Sequence, residues 1–267
     1  MSDSGKLLFL GSGGSMGVPM VGCRCDVCTS TNLRNKRLRP SALISVGEKK
    51  LLIDVGFDFR QQALNSNLNC VDGVLFTHVH ADHIAGIDDL RAFYFFSREA
   101  TKCLASEAAY RDLRIRYYYL FGGNGGMPVT SSNITAQLDF EVLENSRGEV
   151  EFVGVPIRYF TYHQGKMPVT GFRFGELAYV TDIYEYPESI FEDLEGVKTL
   201  IVSAAQYTKS KIHFCVEDAI SFSKRVGPEK TWLNHITHGI DHDKGNAYLP
   251  SGMEFSYDGL EIDFLMH

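Results

Sequence analysis

The feature that most constrains this chain is the run 77–83, which places three histidines and one aspartate within seven residues. The run follows a predicted strand. His78 and His80 are two residues apart, so extended backbone points their side chains the same way. The adjacent Asp82 and His83 are free to face a second point. Imidazole and carboxylate together suit Zn, Mn or Fe, so the run predicts a two-metal site, with a chance cluster or a mononuclear or structural site as alternatives.

Three further residues are candidate ligands because each lies just past a strand-like run. They are His163, Asp182 and His235. Loops at the ends of strands converge on the functional site in α/β proteins, although each residue alone is more often an ordinary surface or core residue. Their shared position favours the metal site.

Apolar and β-branched runs predict strands at 7–10, 42–46, 50–53, 74–76, 152–162, 171–174, 177–180 and 200–202. Helical patterns are found at 58–66, 88–96, 106–120 and 217–226. Clusters of strands with helices between them predict sheets covered by helices. The chain has no visible linker or repeat, so we expect one α/β domain spanning residues 1–267. The glycine-rich region 117–132 predicts a surface loop that forms one pocket wall.

The composition restricts the function classes. A net charge of -7 over 267 residues argues against a protein that coats nucleic acid, since such proteins need a basic face. A small phosphorylated substrate stays open because bound metal ions supply positive charge locally. No apolar run reaches the roughly 20 residues of a membrane span, and the N-terminal residues lack the pattern of a signal peptide. We therefore expect a cytoplasmic protein.

Three cysteines form a second candidate metal site. Cys23, Cys25 and Cys28 fall within six residues, and in a reducing compartment such a cluster indicates metal binding rather than disulfides. Tetrahedral zinc needs a fourth ligand that the spacing does not identify. We choose His238, three residues after His235, and free thiols are the alternative. The glycine-rich segment 11–19 lies before the cysteines and lacks the Lys-Ser/Thr ending of a phosphate-binding loop. It predicts a tight turn beside the active site, which we call the glycine-rich turn.

The motif Thr-His-x-His-x-Asp-His at 77–83, followed by Ile84-Ala85-Gly86, resembles the signature of the metallo-β-lactamase superfamily. The upstream Leu52-Ile53-Asp54-Val55-Gly56 is similar to that family's first motif. The resemblance covers nearly the whole chain. It implies a four-layer αβ/βα sandwich with the site at one edge of two facing sheets.

The resemblance also implies a role for each candidate ligand. One metal takes His78, His80 and His163, and the second takes Asp82, His83 and His235. Asp182 bridges the two ions, and Asp54 orients a ligand without being one. The two catalytic metals are expected to be Zn or Mn.

The glycine-rich segment with Cys-x-Cys-x-x-Cys resembles the PhnP-type cyclic-phosphate phosphodiesterases within that superfamily. This resemblance implies one structural Zn held by three cysteines and a histidine near the C-terminus, which here is His238. It also implies a histidine outside the metal shell as general acid, and His213 stands at the expected position. His242 is a weaker rival that we expect to face solvent.

These observations predict a phosphodiesterase that hydrolyses a small cyclic or nucleotide-like phosphodiester with a metal-bridged hydroxide, positioned in part by Asp82. The main alternative is hydrolysis of a thioester, lactone or other acyl substrate on the same fold. A third hypothesis is a binding module in which Cys23, Cys25 and Cys28 form a nucleic-acid-binding zinc knuckle. The net negative charge of the chain argues against it. Processing of tRNA 3′ ends normally needs a long basic arm, and the basic stretch 34–39 is short; it is either a solvated face or a phosphate contact. A homodimer remains open.

Overall fold

The computed structural model describes residues 4–121 and 135–267 of the chain. The strands of this part are β1 Ser4–Gly11, β2 Ser41–Val46, β3 Lys49–Ile53, β4 Gly73–Leu75, β5 Thr101–Ser106, β6 Leu138–Leu143, β7 Arg147–Phe152, β8 Val155–Gln164, β9 Met167–Phe174, β10 Leu177–Val180, β11 Thr199–Ser203, β12 Lys230–Asn234, β13 Met253–Phe255 and β14 Glu261–Leu265. The α-helices are α1 Asp26–Thr29, α2 Phe59–Asn65, α3 Ala81–Ile84, α4 Arg91–Ser97, α5 Glu107–Arg116, α6 Ile190–Asp193, α7 Val216–Val226 and α8 His242–Asn246. Short 3-10 helices lie at Leu33–Asn35, Ile87–Leu90 and Tyr118–Phe121.

The strands form two seven-stranded mixed sheets. The first has the order β14-β1-β2-β3-β4-β5-β6 and the second the order β13-β12-β11-β10-β9-β8-β7. In each sheet, antiparallel pairing at one side changes to parallel pairing at the other, from β3 to β6 in the first sheet and from β10 to β13 in the second. The parallel strands of both sheets end at loops that carry the candidate ligands.

Alternating side chains bury both faces of each sheet. In β2, Ile44 packs between the sheets while its neighbour Leu43 packs under the helices that cover the first sheet. In β10, Tyr179 packs between the sheets while Ala178 and Val180 pack toward the helices that cover the second sheet. Because successive strand residues point to opposite faces, this pattern requires four layers: helices, sheet, sheet, helices. The predicted αβ/βα sandwich is confirmed.

The predicted elements match the structure with informative exceptions. The run 152–162 is not one strand, because Val153 and Gly154 have positive φ angles of 47° and 86° and turn the chain between β7 and β8. The helix predicted at 106–120 ends at Arg116. The sequence analysis did not predict strands β5, β6, β13 and β14. The glycine-rich region 117–132 lies outside the described residues from position 122 onward.

The basic stretch 34–39 is only in part a solvated face: Arg34 is exposed and Lys36 is half-buried, whereas Arg37 and Arg39 bind groups of the protein itself. The guanidinium of Arg37 is buried; it donates to Ser12 Oγ at 2.8 Å and lies 3.1 Å from His242 Nδ1. Arg39 forms an ion pair with Asp58. His242 is therefore buried behind the glycine-rich turn, and the expectation that it faces solvent is wrong. Within the described residues, no helix combines the length and apolar character needed to cross a bilayer.

Candidate metal centre

The loops after four parallel-region strands bring the catalytic candidates to one edge of the sandwich. Asp54 follows β3, the run 77–83 follows β4, Asp182 follows β10 and His235 follows β12. Asp54, Asp182 and His235 adopt left-handed backbone with φ angles of 60°, 54° and 59°. Side-chain-bearing residues rarely adopt this conformation, and it is typical of functional sites where the surrounding structure enforces it.

Two carboxylates and two imidazoles form the centre of the cluster. His83 Nε2 lies 3.2 Å from Asp182 Oδ2 and 3.5 Å from Asp82 Oδ2. His235 Nε2 lies 3.2 Å from Asp182 Oδ1 and 3.5 Å from Asp82 Oδ2. All four side chains are buried. Asp182 therefore stands between the two imidazoles, which is the arrangement expected of a bridging carboxylate.

His78 and His80 approach the same cluster from its other side. His78 Nε2 lies 3.0 Å from His80 Nδ1. His78 also places a ring nitrogen within 4.8 Å of donors from His83 and Asp182. The structure thus brings together six of the seven catalytic ligands that the sequence predicted.

A chain of buried hydrogen bonds sets the orientation of two of these imidazoles. Asp54 accepts from the Thr77 backbone N–H at 2.8 Å and from the Thr77 hydroxyl at 2.7 Å, and its Oδ2 lies 2.7 Å from His83 Nδ1. Because the Thr77 hydroxyl donates to Asp54, it accepts from His78 Nδ1 at 2.9 Å. Both rings therefore direct Nε2 toward the cluster, the usual consequence of a carboxylate or hydroxyl behind a histidine ligand.

The ionisation of the clustered side chains indicates a site suited to a cation. Burial alone raises the pKa of Asp182, but the positive charges of His235 and His83 outweigh it and hold the pKa well below the usual range. Burial alone lowers the pKa of His83, yet Asp182, Asp54 and Asp82 raise it well above normal. Burial lowers the pKa of His78. A proton on His83 thus supplies positive charge that a metal ion can replace.

Orphaned polar atoms support the same conclusion. Nε2 of His83 and both ring nitrogens of His235 are buried and find no hydrogen-bond partner among the described residues. Buried polar atoms are rarely left unpaired in folded proteins. Imidazole nitrogens facing two carboxylates are a donor set that fits Zn or Mn. The residues present therefore fit a catalytic metal centre.

The structure does not bring His163 into this cluster, which corrects its predicted role. His163 is exposed, and its backbone pairs with Glu185 at the edge of the sheet. The next residue, Gln164, is 5% exposed and directs its amide at Asp182 Oδ1, 3.3 Å away. Adjacent residues of a strand point to opposite faces, so only one of the two can reach the cluster.

His213 lies against the cluster at the side that remains open. Its Nδ1 is 3.4 Å from Asp182 Oδ1, and 18% of its side chain is exposed. Its ring stacks on that of His235 with centroids 5.1 Å apart. Burial and the neighbouring His235 lower the pKa of His213 to about 4. Its donor lies within 4.8 Å of those of Asp182 and His235, so its position alone permits both a metal ligand and a group that contacts substrate.

The cysteine cluster and His238 come together at a separate site. Cys23 Sγ and Cys25 Sγ lie 3.3 and 3.4 Å from His238 Nδ1, and the donor atoms of these three residues and Cys28 all lie within 4.8 Å of one another. Three sulfurs and one imidazole nitrogen are a standard tetrahedral zinc set. The loop after β12 therefore sends His235 to the catalytic cluster and His238 to the cysteines.

The local environment shifts the pKa values of two of these thiols in opposite directions. A hydrogen bond from the Cys28 backbone N–H and one from His238 lower the pKa of Cys25 to about 6. Burial raises the pKa of Cys28 to about 11. A cation such as zinc is needed to hold Cys28 as a thiolate at neutral pH. The glycine-rich turn packs beside both sites: a Cβ added at Gly14 would lie 3.3 Å from His235 Nδ1.

We expect the Cys23→Ser variant to lose one zinc per chain and to unfold at a lower temperature, because a serine hydroxyl does not replace a thiolate ligand. Metal content after gel filtration and a thermal unfolding curve measure both effects. Cys70 is exposed and lies outside the cluster, so Cys70→Ser is the matched control and should keep the wild-type zinc content. A Cys23→Ser protein with an unchanged zinc content would contradict the assignment.

Comparisons with known proteins agree with this geometry. A family model described as the Beta-lactamase superfamily domain matches residues 49–236. A solved structure described as a new diphosphatase from the PhnP family is 31% identical, with a TM-score of 0.89 and 98% of both chains covered. Zn(2+)-bound PqqB from Methylobacterium extorquens has a TM-score of 0.74 and 18% identity, covering 97% of this chain and 100% of that one. At that identity the likeness shows the fold alone.

One similar sequence differs in its described activity. An octanoyltransferase of Porphyromonas gingivalis is 34% identical over 262 residues, which cover 96% of this chain and 51% of that protein. The chain therefore spans about half the length of this curated relative. That share leaves the other half of the relative without a counterpart in this sequence.

Proposed function

Because this chain belongs to the beta-lactamase superfamily and is a hydrolase of that fold, we propose that it is a metal-dependent phosphodiesterase. The proposed substrate is a small cyclic or nucleotide-like phosphodiester, and an esterified diphosphate is the nearest variant. The 31% identical PhnP-family diphosphatase, which matches nearly the full length of both chains, supports chemistry at phosphorus.

The observation that carries this proposal is the position of His213. It lies 3.4 Å from Asp182 and is partly exposed, so a substrate held at the metal cluster can contact it. Cleavage of a phosphodiester expels an alkoxide, which needs a proton, and histidine is the usual side chain for this transfer. Cleavage of a thioester expels a thiolate, which is stable without one, so the position of His213 argues against a thioester; a lactone expels an alkoxide, and the substrate screen below tests it.

The chain's own residues supply positioning and the proton. When bound, two divalent ions lower the pKa of water toward neutrality and offset charge on the phosphate oxygens. Asp82, His83, Asp182 and His235, whose donor atoms lie 3.2 to 3.5 Å apart, would hold a cation. Burial and the neighbouring His235 lower the pKa of His213, and the negative charge of a phosphate beside the ring favours its protonated form.

Hydrolysis of an acyl substrate is the second candidate because of the octanoyltransferase relative. That protein is 34% identical over nearly all of this chain, and acyl transfer is the reaction its name describes. Since this chain spans only about half of it, the relative's activity supports an acyl substrate less directly than the diphosphatase supports a phosphate.

A hydrolysis screen with Mn- and Zn-loaded protein tests the proposal. It compares bis(p-nitrophenyl) phosphate, 2′,3′-cyclic nucleotides and a dinucleoside diphosphate with acyl thioesters and lactones. We expect turnover of at least one phosphoester class and none of the acyl substrates. Protein treated with a chelator provides the background rate. Thioester or lactone turnover without any phosphoester turnover would overturn the proposal in favour of the second candidate.

A further inference from the structure

Only one of the last two residues of β8 can direct its side chain into the metal cluster. His163 and Gln164 are adjacent in the strand, so their side chains leave it on opposite faces. The backbone N–H of His163 donates to Glu185 O at 2.8 Å, and its carbonyl accepts from Glu185 N at 2.9 Å. These bonds fix the strand end with the His163 imidazole outward.

Gln164 fills the inward position with a neutral amide. Its Nε2 lies 3.3 Å from Asp182 Oδ1 and 2.8 Å from His213 Nε2. Its Oε1 is buried and has no hydrogen-bond partner among the residues that the structure describes. The side chain is 5% exposed. This amide oxygen is a free acceptor at the wall of the cluster, and its lone pairs are available to a metal ion.

The donor set is therefore unequal on its two sides. Asp82, His83, His235 and Asp182 give one side two imidazoles and two carboxylates. His78 and His80 add two imidazoles near the same Asp182. From β8 the cluster receives the amide of Gln164, beside Asp182 and His213, and not a third imidazole. A neutral amide oxygen is a harder and weaker ligand than imidazole for zinc.

We propose that Gln164, and not His163, is the ligand that β8 contributes to the centre, and that the two catalytic metal positions consequently differ in affinity. The position formed by Asp82, His83 and His235 is the tight one. The position that takes the Gln164 amide oxygen is weak for zinc and relatively more tolerant of Mn, since oxygen ligands suit Mn. This inference rests on the proposed metal centre and is independent of which substrate the enzyme hydrolyses.

Calorimetric titration of metal-depleted protein with Zn²⁺ and with Mn²⁺ tests the inference without substrate. Wild-type protein should bind the two catalytic ions in separate phases. Gln164→His should strengthen the weaker zinc phase by at least about tenfold, since even partners behind a ligand change metal affinity by about 10–100-fold. His163→Ala should leave both phases unchanged. Metal content after dialysis at low free zinc should rise by one ion per chain in Gln164→His.

A second variant keeps the test decisive if Gln164→His does not fold. Gln164→Glu has nearly the same shape and adds a negative oxygen, so it should also strengthen the weaker phase. Two results would overturn the inference: loss of a catalytic ion in His163→Ala, or two equal phases in the wild type that neither Gln164 variant changes. Inactivity on phosphoesters with unequal metal binding would instead count against the proposed function alone.

Discussion

The Asp182→Ala variant is expected to lose at least about 10³-fold in phosphodiester turnover and to retain neither catalytic metal. Asp182 is buried and stands 3.2 Å from both His83 and His235. Removal of its carboxylate takes away the negative charge that both metal positions share. Catalytic metal ions stabilise the transition state by several kcal/mol, and a loss of about 4 kcal/mol corresponds to about 10³-fold in rate. Initial rates and metal content measure the two effects.

The controls for Asp182→Ala separate the two kinds of metal site. The cysteine site is built from other residues, so one zinc per chain should remain after Asp182→Ala. Asp263 is exposed on β14, and Asp263→Ala should keep wild-type rates and metal content. Asp182→Asn preserves the shape but not the charge, and it should behave like Asp182→Ala. An Asp182→Ala enzyme with normal turnover and both catalytic ions would show that this carboxylate does not link the metals.

Much of the catalytic site could be predicted from the sequence because a single loop supplies most of it. The run 77–83 needs only local spacing to bring His78, His80 and the pair Asp82 and His83 to one place. Asp182 comes from the other sheet, and its approach depends on how the two sheets pack. Residue spacing does not encode that packing, so this ligand was found through its position after a strand and through the family resemblance.

Which residue at the end of β8 faces the metal cluster could not be predicted from the sequence. The buried face of β8 changes halfway along the strand, with Tyr159 packed between the sheets and Phe160 packed toward the helices. The alternation of the first half therefore predicts the wrong inward residue at the end of the strand. A shift of one residue reverses every side chain, and this is the difference between His163 and Gln164. The turn at Val153, which sets the start of β8, was also hidden within an apolar run.

The burial of Arg37 and His242 could not be predicted from the sequence either. These residues are 205 positions apart, and they meet only because the loop after β12 returns to the segment before β2. A basic stretch with few apolar neighbours is usually solvated. Here Asp258 lies in the same buried region, accepts from Ser12 and Leu38, and favours the charge of Arg37.

The His213→Ala variant should separate substrates by their leaving groups. With a 2′,3′-cyclic nucleotide, whose leaving group is an alkoxide, we expect turnover to fall by about 10²–10⁴-fold, the usual contribution of a general acid. With bis(p-nitrophenyl) phosphate, whose leaving group is a stable phenolate, we expect a fall of less than about tenfold. The physical reason is that only the alkoxide needs a proton as its bond to phosphorus breaks. Steady-state rates on both substrates, with equal metal content confirmed, give the comparison.

The exposed His163 provides the matched control for His213→Ala. His163→Ala also removes one imidazole but lies outside the cluster, so it should leave both rates unchanged. An equal fall of the two rates in His213→Ala would show that His213 positions the substrate or binds a metal instead of donating a proton. The ring stacks on His235 at 5.1 Å, so a positioning role predicts that His213→Gln, which keeps a hydrogen-bonding group, restores both rates together. A proton-donor role predicts that His213→Gln leaves the cyclic nucleotide rate low, because an amide does not release a proton near neutral pH.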